Sequence, residues 1–270
     1  RCHRSFRMSQ EEISMASAET PTPATSPAAA GSDNSFGRIF GVLFSPKPTF
    51  ESIVRRPTWI LPLILIAVVS VGVIFTFSQR VGWRNFMIRQ DQQNSRTQKQ
   101  MESMTEEQRE KLIDTQTKVA PIFGYIGVTL GLFIAAVVVA AVLMLAFNLI
   151  HGTKIGFVPS LGIVSYSWVP GIIGGLLGIL ILFLKDPSTV DLEHLVASNA
   201  GAFLADDAPK WMLTLFTAFD LFAFWNMILM AIGFSAADPK KISFGKALGT
   251  VVGVWLIYVI VKVGLAAAFS

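Results

Sequence analysis

The sequence predicts an all-α fold: a polytopic membrane protein with five transmembrane helices in one bundle. Three observations lead there. The chain is 52% hydrophobic and 15% charged over 270 residues, where soluble domains carry roughly 25% charge. Its mean hydropathy is +0.56. Its apolar residues gather in long runs, of the ~20-residue length that carries a helix through a ~30 Å hydrocarbon core.

Residues 1–34 are rich in Ala, Ser, Thr and Pro, as in Thr20-Pro21-Thr22-Pro23. Such a segment cannot bury enough apolar area to offset its ordering entropy, so a disordered tail is expected. It has no apolar h-region and does not read as a signal peptide. Arg1 is not a methionine, so Met8 or Met15 is read as the start.

Residues 35–58 read as an interfacial amphipathic segment. Phe36, Ile39, Phe40, Leu43 and Phe44 recur at helical spacing, with Arg38 off that stripe. The stripe is too short to span and suits a helix lying in the membrane interface. Pro46 and Pro48 end it, and Thr49 is the expected cap of a second short helix. Trp59 is the expected interfacial anchor, with Phe36, Phe40 and Phe44.

The membrane domain is expected over 59–270. Its spans fall at about 59–77, 121–150, 161–184, 211–234 and 244–268. Residues 78–118 are polar and predict an extramembrane helical hairpin, opened by the capping-box pattern Thr105-Glu106-Glu107-Gln108. The second span exceeds the core thickness and must tilt or protrude. Pro170 predicts a kink in the third. Gly171 with Gly175, Gly174 with Gly178, and the row Gly245, Gly249, Gly253 offer small faces for close helix packing. Residues 185–210 form an acidic loop containing Asp206-Asp207, without calcium-loop spacing.

One carboxylate, Asp220, falls inside the fourth apolar run, at a depth matching Lys262 in the fifth. A charge in hydrocarbon needs a partner. The candidate arrangement is an Asp220–Lys262 intramembrane pair. The alternatives are that Lys262 snorkels outward while Asp220 caps a polar cluster with Asn226 or Ser165, or is protonated.

The net charge is +4 and the isoelectric point about 9.3. The Lys and Arg residues lie mostly beside apolar runs, which favours cytoplasmic flanks over nucleic-acid binding. Arg38, Lys47, Arg55, Arg56, Lys154, Lys240, Lys241 and Lys246 share one side, so the N-terminus is expected in the cytoplasm and the C-terminus outside. The single cysteine, Cys2, excludes an internal disulfide. His3, His151 and His194 show no ligand spacing, so no metal is expected. Ser165-Tyr166-Ser167 lacks the elbow of a hydrolase nucleophile.

The residues Arg38-Ile39-Phe40, Phe44-Ser45-Pro46, Phe50, Ile53 and Pro57-Thr58-Trp59-Ile60-Leu61-Pro62 resemble the opening of the Yip domain family of Ypt-interacting membrane proteins. Asp220-Leu221-Phe222, Trp225, Ala231-Ile232-Gly233 and Lys241 to Ala247 resemble its closing part in the bacterial branch. The resemblance covers about residues 36–265. It implies a five-helix bundle with a cytoplasmic N-terminus, in the plasma membrane if bacterial. Eukaryotic relatives bind Rab-type GTPases, a partner class not carried over to the bacterial branch. The family offers no catalytic residues or cofactors to transfer. The expected function is therefore a non-enzymatic membrane scaffold or adaptor. Its expected partners are membrane lipid and other membrane proteins or a second copy of the chain, with no nucleic acid; the small-molecule ligand is left open. The alternative is a subunit of a solute or ion transporter using Asp220 and Lys262.

Overall fold

The computed structural model describes residues 34–93, 101–187, 190, 195–205 and 208–268. Residues 1–33 of the expected disordered tail, with Cys2 and His3, and also His194, Asp206 and Asp207, lie outside the described residues, whereas Asn34, placed in that tail, is the N-cap of the first helix. Among the described residues there is no strand, only one isolated bridge between Asn199 and Asp220. The regular secondary structure is otherwise helical, as composition predicts.

Two short helices come first, α1 (Ser35–Phe44) and α2 (Pro46–Arg55). The first span, α3 (Ile60–Arg80), is followed by α4 (Trp83–Gln93). The long α5 (Glu106–His151) has 46 residues, ~69 Å at 1.5 Å each. That is about twice the hydrocarbon thickness, so much of its polar N-terminal part lies beyond the bilayer. Its start is the expected capping box: Thr105 Oγ1 accepts from Gln108 N and Gln108 Oε1 accepts from Thr105 N. Outside the apolar stretch, Arg84 of α4 pairs with Glu110 and Asp114 of α5 at 2.7 and 3.2 Å.

The third span runs from Phe157 to Leu184 and is broken at Trp168–Val169 into α6 (Phe157–Ser167) and α7 (Pro170–Leu184). Proline has no amide to donate and crowds the preceding turn, so α7 starts at Pro170. Lys210–Ala218 (α8) and Leu221–Ala237 (α9) follow. Phe244–Ala268 (α10) ends the described chain.

Four helices are long and apolar enough to cross a membrane: Ile60–Arg80, Glu106–His151, Phe157–Leu184 and Phe244–Ala268. The remaining expected span, 211–234, is divided. Its apolar run is interrupted at Phe219–Asp220, and the 17-residue α9 forms its second part. A hydropathy run does not reveal such a break, because Asp220 is one polar residue among many apolar ones.

α9 is the hub. It packs on α2, α6, α7 and α10, and buries Met227, Leu229, Met230, Ala231, Gly233 and Phe234. The Phe234 ring stacks on Phe147 of α5 with centroids 4.3 Å apart, a pair worth ~0.5–1.5 kcal/mol beyond area burial. A second core lies at the other end of the bundle. There Phe77, Trp83 and Phe86 meet edge to face, packed with Ile74 and Leu182.

Glycines set the closest approaches. A Cβ on Gly233 would meet Ile163 Cγ2 at 2.4 Å and Phe50 Cδ1 at 3.0 Å. Gly174 lies against the Phe222 ring, Gly175 against Val69 and Gly178 against Leu195, so α7 uses these residues to approach α9, α3 and the 195–203 segment. Gly171 faces open space. The row Gly245, Gly249, Gly253, expected to pack a neighbouring helix, also meets nothing within 4 Å. α10 is peripheral, with only 11% of its apolar stretch buried within the chain.

Two substitutions separate these environments. Gly233→Val should cost about 1–3 kcal/mol through overpacking and lower the melting temperature in detergent. Gly249→Ala should leave it unchanged or raise it slightly, since losing a mid-helix glycine gains ~0.5–1 kcal/mol.

Candidate functional site

The candidate site is a platform made by α1 and α2 at one end of the bundle. Asn34 caps α1, its Oδ1 accepting from Phe36 N at 3.2 Å. Residues four apart share a helix face. Phe36, Phe40 and Phe44 therefore form one row, 56%, 65% and 82% exposed. Ile39 and Val42 point the other way and are buried. The expected single stripe thus divides, with Ile39 joining the core and the phenylalanines facing outward. Trp59, the expected anchor, is half-buried against the main core.

The turn between the helices is tight. Pro46 opens α2 and Ser45 is its N-cap residue. Thr49, expected as the cap, instead lies inside α2, with its hydroxyl donating to Ser45 O at 2.8 Å. Its side chain fills the space over Gly41, where a Cβ would come within 2.5 Å of Oγ1.

Arg38 corrects the sequence reading most sharply. Read as one of the charges flanking the first span, it is 2% exposed. Its Nη1 donates to Arg56 O at 2.9 Å and to Thr58 Oγ1 at 3.2 Å. Its Nη2 donates to Ser52 Oγ at 2.8 Å and Ser52 O at 3.3 Å. No carboxylate pairs with it among the described residues, and its buried Nε has no partner. The carbonyls of Ser52 and Arg56 belong to the C-terminal end of α2, where the helix dipole is negative. The guanidinium therefore takes its compensation from a helix end.

Thr58 passes the connection on. Its Oγ1 lies 3.0 Å from Tyr166 Oη, and the phenol donates to Ser35 O at 3.5 Å. Consistent donors then run from Arg38 to Thr58, from Thr58 to Tyr166, and from Tyr166 back to Ser35. Tyr166 is fully buried on α6. The circuit ties α1, the end of α2 and α6 together. The neighbouring hydroxyls of Ser165 and Ser167 donate within α6, to Leu161 O at 2.6 Å and Ile163 O at 2.8 Å.

The same end of the bundle is closed by two turns. Gly152 ends α5 with φ +61°. Asn148 holds the turn, its Oδ1 accepting from Thr153 Oγ1 at 2.7 Å and Ile155 N at 3.0 Å. His151 lies 2.8 Å from Thr250 Oγ1 of α10, and Lys241 donates to Gly152 O. Between α2, the end of α9 and the turn into α10 lies an open groove of about 710 Å³.

Asp220 lies towards the other end and does not meet Lys262. It is the N-cap of α9, half-buried, with Oδ1 accepting from Ala223 N at 3.0 Å. Its Oδ2 accepts from Ser198 Oγ. Backbone bonds from Leu221 N to Ser198 O at 2.9 Å and from Ala200 N to Phe219 O at 3.2 Å complete the junction. Lys262 is exposed on α10 and has no ion pair among the described residues. Among the described residues Asn226 and Ser165 do not partner Asp220 either: Ser165 donates to Leu161 O, and the buried Oδ1 of Asn226 is unpartnered. The signal for the actual arrangement was present, because an Asp directly before an apolar helix is a common N-cap.

The fold defines a polytopic, all-helical membrane protein. A protein-family model, the Yip1 domain, matches residues 40–266. The chain belongs to the Yip1 domain family. No curated protein and no solved structure matches it.

Asp220→Ala should cost ~1–2 kcal/mol through the lost cap. Thermal unfolding of double mutants should show coupling with Ser198→Ala and simple additivity with Lys262→Met. Coupling to Lys262 with none to Ser198 would restore the ion pair.

Proposed function

We propose that this protein is a non-enzymatic membrane scaffold or adaptor of the bacterial branch of its family. Its α1–α2 platform lies on the cytoplasmic leaflet and organises membrane or receives partner proteins, including further copies of the chain. The observation that carries this reading is the outward row Phe36, Phe40, Phe44 on a platform whose opposite face is bound to the bundle through Arg38. An exposed aromatic row fixed in one orientation suits the boundary between headgroups and acyl chains. The short basic flanks on the same side favour a cytoplasmic N-terminus, with the C-terminus outside. The plasma membrane is then the compartment of a bacterial chain.

A second reading, a transporter subunit, draws on the interrupted α8–α9 segment, since broken helices line many transport sites. Both carboxylate oxygens of Asp220 are already occupied, which weakens it. Solute or ion flux in liposomes abolished by Asp220→Ala, with the fold intact, would favour transport.

Reporter fusions within 78–118 and after Ser270 should both read as external; a cytoplasmic signal at either overturns the orientation. Phe40→Asp with Phe44→Asp should open the platform to protease in vesicles while the protein stays membrane-integrated. Crosslinked partners recovered from native membrane should fall in parallel. Unchanged protection and unchanged partner recovery would contradict the platform's role.

A further inference from the structure

The groove between α2 and the α9–α10 turn has a chemistry that the scaffold reading does not use. Its floor is apolar, formed by Ile232 and Ala236 of α9 and by Phe244 at the start of α10. Its rim on α2 carries Lys47, Glu51 and Arg55. These three are spaced four apart and share one helix face. Ion pairs between them would be expected at this spacing, yet none forms among the described residues. Lys47 and Arg55 are exposed, and among the described residues their side chains have no hydrogen-bond partner. Pro239 and Ile242 of the turn into α10 form the opposite rim. Two cations thus flank one carboxylate beside an apolar floor.

The position selects the ligand. The groove lies where α9 ends and α10 begins, beside the platform carrying the exposed phenylalanines. In a membrane-embedded chain this is the level of lipid headgroups. At about 710 Å³ it falls within the ~300–1,000 Å³ of small-molecule sites. A phosphodiester satisfies Lys47 and Arg55, an acyl chain covers Ile232 and Phe244, and headgroup hydroxyls can donate to Glu51. Basic pockets between helices at a membrane surface recognise anionic headgroups in this way. We propose that the groove binds one anionic phospholipid with a hydroxylated headgroup, its phosphate held between Lys47 and Arg55. The inference rests on the reading that the platform lies at the membrane surface.

The test uses the full chain in neutral detergent. Native mass spectrometry would compare retention of phosphatidylglycerol, phosphatidylethanolamine and phosphatidylcholine, with glycerol phosphate as the soluble arm. Phosphatidylglycerol should be retained preferentially, and glycerol phosphate should not be retained. Lys47→Gln and Arg55→Gln should each weaken retention by roughly fivefold. Lys47→Gln should leave the melting temperature unchanged, and Arg55→Gln, which removes a cation from the last turn of α2, should lower it only slightly. Ala236→Phe, which fills the floor and leaves every charge in place, should also remove the lipid. Equal retention of the three lipids, retention of glycerol phosphate alone, or a Lys47→Gln, Arg55→Gln double variant that binds normally would overturn the site. Protease protection of the platform in vesicles separates the two readings. Protection with no lipid preference sinks the site alone, whereas an unprotected platform sinks the surface reading beneath it.

Discussion

A buried guanidinium with no carboxylate partner among the described residues is the constraint on which the platform depends. An uncompensated charge out of water costs several kcal/mol, and Arg38 is 2% exposed. It is tolerable because four bonds reach it from Ser52, Arg56 and Thr58, two of them from carbonyls at the negative end of α2. The dependence runs both ways. Without Arg38 the end of α2 loses the guanidinium, although Ser52 O keeps its bond from Arg56 N; without the α2 terminus Arg38 has nowhere to be buried. Tyr166 extends the arrangement into the bundle, so a helix pair too short to stand alone is held to α6.

The bundle is built by the rules that apply in lipid. Hydrophobicity does not distinguish helix contact from lipid contact, so close approach falls to small residues. Gly233 and Gly162 bring α9, α2 and the 57–58 turn against α6. Two polar side chains are placed where backbone is already free. Asp220 sits at the α8–α9 break, where the first amides of α9 need acceptors. Asn148 serves the turn after α5 in the same way.

Local chemistry was legible in the sequence, and partnership was not. The Thr105–Gln108 capping box and the Pro170 break follow from a few adjacent residues, and both occur where the pattern put them. The Phe36–Phe40–Phe44 row could be read from its spacing. Arg38 could not be located, because a charge beside an apolar stripe reads as solvated unless the acceptors fourteen to twenty residues away are known. Asp220 was read by depth along an unbroken span, when its type and its place before Leu221 indicated a cap. The glycines make the same point. Equal four-residue spacing on α7 and α10 gives contact at Gly174, Gly175 and Gly178, and open space at Gly245, Gly249 and Gly253. Only the neighbouring helix decides.

The most direct test of the Arg38 account is hydrogen exchange on the full chain in lipid nanodiscs, compared with Arg38→Gln. The account predicts that amides over 35–55 are protected in the native chain and exchange much faster in the variant, while α5 and α9 keep their protection. Glutamine can donate but cannot reach both the Ser52 and the Arg56–Thr58 acceptors at once. Equal protection of 35–55 in the two proteins would show that the platform is held by its apolar face alone, and the central place given to Arg38 would be lost.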